Sequence, residues 1–469
     1  MKHHFSITWI LLLTLLTRAS AQVDTLPAIH HFSVSDCAAY GESNNVQVKN
    51  ALLDYKIQEQ VNRNVKSAAY PQINGNIGPT FNPNVAVQSF PNFIAAATYG
   101  VLIDQGVRDG NGNPIKAPAD YGYIQAAFGS KWNANVGLTL SQILFDGQLF
   151  IALKAEKTTL LFKTKSLEVT KENIRANIYK LYYQLAASKT QVAQIDANIT
   201  RAEKLLHDVK ILYQNGFQEK LDVDKATVQL NNLQTEKSNV ENTISNGYYG
   251  LKLLMGMPIS DSLILTDSVT SDLIKNELLN EGNYSYENRP DYQLLQVSKK
   301  LGEFNVSRYK LSRIPTFSLS ASFMKSAQRN SFDFFSKGDW FTSSYIGMNI
   351  NIPLFDGFAK ASNIRKSQLE LEQTVNQIEG LKQSIDNDVA QSKNNYRNAV
   401  ASMDLQKTNM QLAESVYEQT KKKYEIGTGS TTEIANAQAD LRVAQSNYIN
   451  ALYNAIIAKI DFEKAAGIL

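Results

Sequence analysis

The segment Leu144-Phe145-Asp146-Gly147 occurs a second time as Leu354-Phe355-Asp356-Gly357. Tyr213-Gln214-Asn215-Gly216 is answered by Tyr424-Glu425-Ile426-Gly427, and Met255-Gly256 by Ala466-Gly467. The offset stays near roughly 210 residues throughout, which is the mark of a tandem duplication. Each copy reads as alternating strand, Asp-Gly turn, very long helix, Gly-containing turn and long helix. A fold for this chain must therefore be built from two equivalent halves.

The amino terminus reads as a secretory signal: Lys2, His3 and His4 precede an apolar run from Phe5 to Leu16, and Ala19-Ser20-Ala21 offers a small-residue cleavage site. No other stretch approaches the ~20 apolar residues of a membrane helix. Losing Lys2 and Arg18 takes the net charge from +3 to +1, so the mature chain has no electrostatic case for nucleic acid. Its single cysteine, Cys37, cannot form an internal disulfide. Past the signal only His30, His31 and His207 remain. Metal centres and Ser-His-Asp chemistry are poorly supported, and neither a cofactor nor an enzymatic activity is expected.

Period-2 alternation, the signature of strands with unlike faces, occurs four times. Trp132, Ala134, Val136, Leu138 and Leu140 alternate with Asn133, Asn135, Gly137, Thr139 and Ser141. Phe317, Leu319, Ala321 and Phe323 alternate with Thr316, Ser318, Ser320 and Ser322. Ile346, Met348, Ile350, Ile352 and Leu354 alternate with Tyr345, Gly347, Asn349 and Asn351, and a fainter version runs from Ile73 through Ile77 to Phe81. The apolar faces could rest on a protein core, but the remaining elements are helices with seams of their own. The alternative turns the apolar face to lipid and the Asn/Ser/Thr face to a water-filled lumen, with Trp132, Phe145, Trp340, Tyr345 and Phe355 as interfacial anchors. Four strands cannot close a barrel, and an open edge in hydrocarbon leaves backbone groups unpaired, so the chain must oligomerise. The Gly/Asn/Pro-rich stretch from about Ser89 to Ala126 and the segment from Arg329 to Trp340 read as exposed loops.

After Gly147 no proline occurs until Pro258, and apolar residues fall on alternating steps of three and four: Ile174, Ile178, Leu181, Leu185, then Val192, Ile195, Ile199, Ala202, Leu206, Val209 and Tyr213, with Ser188 as the one interruption. A repeat of 3.5 held this long means coiled-coil packing. Helices are expected over 147–213 and 221–255, with counterparts over 358–424 and 432–466. Shorter helices are expected over 35–68 and 291–312, each ending before a proline (Pro71, Pro315). Asp146 and Asp356 suit N-capping, with Gly147 and Gly357 easing the strand-to-helix bend. A paired-carboxylate active site is the competing reading and lacks any accompanying base or nucleophile. The run Gly427-Thr428-Gly429-Ser430-Thr431 lacks the Gly-Lys-Ser/Thr ending of a phosphate loop and reads as a helix-helix turn.

Taken together, the signal, the duplicated strand and helix hairpins, the Leu-Phe-Asp-Gly joints and the Tyr-x-x-Gly turns resemble the TolC-like outer membrane efflux family across essentially the whole mature chain. The resemblance implies an α+β membrane protein with an internal tandem repeat. Each chain would give four strands to a trimeric 12-stranded β-barrel in the outer membrane, and long antiparallel coiled-coil helices to a periplasmic α-barrel. The implied function is the exit duct of a tripartite efflux or type I secretion system. Its expected partners are two further copies, a periplasmic adaptor, an inner-membrane pump of RND or ABC type and outer-membrane lipid, with no nucleic acid. A periplasmic coiled-coil scaffold is the alternative, and an exported hydrolase a weaker one.

On this reading 1–21 is the signal peptide, 22–70 an N-terminal periplasmic helix, 71–146 the first barrel hairpin and 147–256 the first helical hairpin. The equatorial connector is 257–289, followed by a periplasmic helix at 290–314, the second barrel hairpin at 315–356 and the second helical hairpin at 357–469. The resemblance assigns the tips Tyr213, Gly216, Phe217, Gly427 and Thr428 to adaptor contact. It places Asp222 and Tyr424 on a carboxylate-tyrosine link of the closed gate. The chain departs from the family prototype at Gly429, where an arginine of the closure network is missing. Of two acidic positions ringing the entrance, Glu433 is retained and the other is Asn436. A threefold ring of Glu433 would attract cations and raise its own pKa by like-charge repulsion.

Overall fold

Alternating segments become strands and heptad segments become helices. The computed structural model describes residues 28–127, 129–270, 274, 284–336 and 338–469; the expected signal peptide and part of the connector lie outside them. The chain opens with β1 (Ile29–Phe32), α1 (Val34–Asn44) and α2 (Val46–Ser67), then β2 (Gln72–Phe81), β3 (Val87–Pro91), α3 (Phe93–Asp104), β4 (Tyr123–Ala127) and β5 (Trp132–Phe145). The long helices α4 (Gly147–Gln214) and α5 (Lys220–Met255) follow, then β6 (Ser262–Leu265), α6 (Pro290–Leu311), β7 (Thr316–Arg329) and β8 (Phe341–Asn351). The chain closes with α7 (Ala359–Glu425) and α8 (Thr431–Ala466).

Two compact units result, one from residues up to Gln58 with Thr158–Lys300 and Glu372–Leu469, the other from Glu59–Lys157 with Leu301–Leu371. In the first, Ile174, Ile178, Tyr182 and Leu185 of α4 bury against Cys37 of α1, Leu251 and Met255 of α5, and Leu263 and Leu265 of β6. Each such large apolar side chain contributes about 1.5–3 kcal/mol of burial. Tyr396 and Met403 of α7 pack with Leu452, Ala455 and Ile456 of α8 in a second cluster. A third, near the helix tips, joins Leu205 and Val209 to Tyr417, Ile434 and Leu441. The heptad seam is buried at most of its positions, but Tyr213 at its end is exposed.

The second unit holds an antiparallel sheet in the order β2-β5-β7-β8. Its register aligns Ile73 with Leu140, Ala321 and Ile346 in one row, and Leu138 with Phe323 in the next. A bulge between Ile143 and Phe145 brings Phe145 opposite Phe317, so β5 presents an aromatic where strict alternation would have turned it away.

Several expectations are corrected. The helix expected over 35–68 is two helices, because Asn45 leaves helical geometry (ψ 136°). Its side chain accepts from Gln47 N at 2.7 Å and donates to Leu254 O at 2.6 Å. The stretch from Ser89 to Ala126 is not a plain loop: it contains α3 and the β3-β4 hairpin. β8 ends at Asn351, before Pro353, so Leu354 and Phe355 lie beyond it. Tyr345 pairs with Ser322 and sits on the polar face, where it cannot serve as an anchor of the apolar one. β1 and β6 form a parallel pair that sequence reading did not anticipate.

Candidate functional site

Both helix-hairpin tips are built from the same turn. Gly216 (φ 81°) donates to Tyr213 O and Phe217 N to Leu212 O, at 3.0 and 2.8 Å. Gly427 (φ 79°) donates to Tyr424 O and Thr428 N to Lys423 O, at 3.0 and 2.9 Å. These are Schellman closures, which satisfy the last helical carbonyls and require the left-handed residue that glycine supplies. The apolar Phe217 ring projects 78% exposed from the first tip. Gly429 also donates to Lys423 O, and a Cβ there would meet Tyr424 N at 2.9 Å. The turn therefore has no room for a side chain at the position where the family resemblance leads one to expect arginine.

Beside the second tip, the Tyr424 and Thr431 hydroxyls are both buried without a hydrogen-bond partner among the described residues. They are neighbours that do not meet in bonding geometry. Burial pushes the Tyr424 phenol pKa up; the neighbouring Thr431 hydroxyl opposes this, and the Asp208 and Asp222 charges add to it. The expected link from Asp222 to Tyr424 is not formed in this conformation: the Asp222 carboxylate lies 3.8 Å from Lys225 instead. Thr431, read from the sequence only as the end of a helix-helix turn, and Asp208, which stands in no motif, are further candidates beside Tyr424.

Glu433 is exposed and closes a capping box on α8, where Ser430 Oγ accepts from Glu433 N at 3.2 Å and Ser430 N donates to Glu433 Oε2 at 3.4 Å. The Ser-x-x-Glu spacing was a legible signal of that role. Asn436, also exposed, borders a pocket of about 260 Å³ with Lys225, Gln229 and Arg442.

The two Asp-Gly joints, alike in sequence, differ in structure. Asp146 Oδ1 accepts from Gln148 N (2.8 Å) and Leu149 N (3.4 Å) and caps α4. Gly147 is already helical and packs so tightly that a Cβ would lie 2.9 Å from both Ile314 and Leu311 side chains. At the second joint Asp356 accepts from Lys360 N at 3.0 Å, Gly357 takes a positive φ of 62° in open space, and Phe358 follows it at φ 66°. Asp146 stands at the N-cap as expected, whereas Asp356 lies three residues before α7 and reaches only the Lys360 amide of its first turn.

On the sheet, most of the apolar side is bare; Ala134 and Ala327, paired near the far end of β5 and β7, are the buried exception. Ile77 and Ile346 are each 81% exposed, and Ile73, Leu138, Phe323, Met348 and Ile350 are exposed with them. The opposite face presents Asn74, Asn76, Asn135, Thr139, Ser322 and Asn349. Among the described residues, β2 and β8 each have a neighbour on one side only.

A family model described as "Outer membrane efflux protein" matches residues 120–257 and 285–468. The chain is similar to the outer membrane protein TolC of Vibrio cholerae serotype O1, with 19% identity over 337 residues that cover 71% of this chain and 77% of that one. TolC of Escherichia coli (strain K12) is 21% identical over 371 residues, 75% and 73% of the two chains. Among solved structures, CusC superposes with a TM-score of 0.72 at 16% identity over 95% of both chains, a likeness of fold.

Proposed function

Because the chain belongs to the outer membrane efflux protein family, whose members sit in the outer membrane with a helical tunnel in the periplasm, we propose that it is a passive trimeric exit duct. One observation carries this reading: a four-stranded sheet with an exposed apolar face and two open edges. In hydrocarbon each unpaired backbone group costs several kcal/mol, so both edges need neighbours. Since every pairing is antiparallel, β2 and β8 run in opposite directions. The β8 of one copy can thus lie antiparallel to the β2 of the next, continuing the alternation around a closed ring. Three copies give twelve strands with apolar residues toward lipid and the Asn/Ser/Thr face around a wet lumen. A periplasmic scaffold leaves the bare apolar face without a purpose.

The halves read as a duplication: α5 and α8 have 36 residues each, and α4 and α7 have 68 and 67. Within the duct the helical hairpins at 147–256 and 357–469 form the tunnel, and their tips meet an adaptor through Phe217 and Thr428 beside bare glycines. Transport is passage without bond chemistry, driven by an inner-membrane pump. The gate works through Tyr424. A buried hydroxyl without a partner costs about 1–3 kcal/mol, so a tip movement that brings Asp222 within reach of Tyr424 is favoured and latches the closed state.

The test is extraction and conductance. The protein should require detergent, run as a heat-modifiable trimer and form channels in planar bilayers, and a water-soluble monomer would end this reading. With Tyr424→Phe and Asp222→Ala, single-channel conductance should rise; if it does not change, the latch is wrong while the duct stands.

A further inference from the structure

Two cations stand on the apolar side of the sheet. The register aligns Lys325 of β7 with Val136 of β5 and Thr342 of β8, in the row of Ile77. Arg329 lies four residues on, opposite Trp132 and thus in the row of Phe81. Both share the alternation of Phe317, Leu319, Ala321 and Phe323, not that of the serines between them.

Height along the strand gives these positions meaning. Phe317, opposite Phe145, marks one aromatic border. Lys325 is eight residues above it and Arg329 twelve. At ~3.3 Å per residue and a strand tilt of ~40°, these become about 20 and 30 Å along the barrel axis, bracketing the upper edge of an apolar band ~25 Å tall. A second aromatic group lies at that level: Trp132 contacts Phe81 (4.6 Å between centroids) and Phe332 (4.9 Å), and Phe334 contacts Phe332 (5.4 Å) and Trp340 (6.3 Å).

The Arg329 guanidinium is held in place. It donates to Gln328 O at 2.9 Å and Asp339 O at 3.0 Å, and a Cβ on Gly338 would collide with it. Among the described residues no carboxylate pairs with Lys325 or Arg329. Exposed Lys325 has its amine free, and Arg329 keeps further N–H donors beyond the two it spends on carbonyls. Cations on a lipid-facing wall are tolerated only near the interface, where long side chains reach the headgroups.

We propose that Lys325 and Arg329, with the Trp132 aromatic group, bind the phosphorylated headgroup of an outer-leaflet lipid. The inference rests on the barrel reading above. Phosphate matches a guanidinium fork and an ammonium, and the aromatic rings supply contact for the upper acyl carbons.

The test uses the full chain in detergent with diphosphoryl lipid A, its dephosphorylated form, or inorganic phosphate as competitor, and reads retained lipid by native mass spectrometry. Wild type should retain the phosphorylated form about tenfold better than the dephosphorylated one, and Lys325→Gln with Arg329→Gln should abolish that preference. Equal retention by wild type and double variant would overturn the inference, as would complete displacement by inorganic phosphate, which indicates an ion site. Vesicle flotation of both proteins separates the two readings. Failure of wild type to insert removes the barrel and this site together, whereas insertion with indifferent lipid retention removes this site alone.

Discussion

Asp386 of α7 accepts from the Tyr284 and Tyr286 hydroxyls at 2.5 and 2.7 Å, a tether between the connector and the second long helix. Those two bonds hold the Asp386 pKa below its ordinary value, Tyr284 first. The hydrogen bond to Asp386 pushes the Tyr284 phenol up to about 12. For the carboxylate, the tether's contribution is fully present above the ordinary value near ~3.9 and is lost as the pH falls through the lowered one. For the phenol it is fully present below ~10 and lost as the pH climbs through about 12. Tyr284→Phe should therefore raise the Asp386 pKa in an NMR titration, and an unmoved titration would dismiss the tether. Single residues of this kind were the least legible part of the chain. Tyr182 donates to Phe32 O at 3.2 Å and accepts from Asp267 N at 3.0 Å, yet it lies beside the heptad seam, with partners 150 and 85 residues away. Asp146 could be read as a cap because capping is local; Tyr424 and Thr431 could not be paired because their burial depends on three helices.

The long helices were legible because a sustained 3.5-residue period has few alternative explanations, and their ends fall within one or two residues of the expected ones; α3, which lacks that period, was read as loop. What the pattern could not show was the break at Asn45, decided by the Leu254 carbonyl 209 residues away, or the four-residue β1, too short to display alternation. The two distal turns illustrate how a repeated element diverges. Ser430 caps α8 through a complete capping box, whereas Glu219 stands at the N-cap of α5 without any side-chain bond. A serine at an N-cap contributes about 1 kcal/mol over a residue that cannot cap. Glu219→Ser should stabilise the first hairpin by that order, and Ser430→Ala should destabilise the second similarly. Hydrogen exchange of the amides that open α5 and α8 measures both, and equal exchange in variant and wild type would show that the tips are not limited by their caps.

At the scale of the whole molecule, the two faces of one sheet make the strongest demand. Strand register turns a sequence pattern into a wall: Ile346 lies beside Ala321 on the bare apolar side, and Asn349 beside Ser318 on the polar side. Both are on the edge strand β8, three residues apart, and both are exposed in the single chain, so a soluble sheet would treat a lysine at either position alike. A barrel in lipid would not. Lysine on the outer wall near mid-bilayer costs about 2–4 kcal/mol per chain, while the lumen side stays in water. Closure repeats that cost in every copy around the ring. Ile346→Lys should therefore reduce the heat-modifiable oligomer recovered from membranes severalfold, while Asn349→Lys leaves assembly intact and shifts ion selectivity toward anions in planar bilayers. Equal tolerance of both substitutions would mean that the apolar side meets something other than lipid, and the alternation along β2, β5, β7 and β8 would then need another occupant.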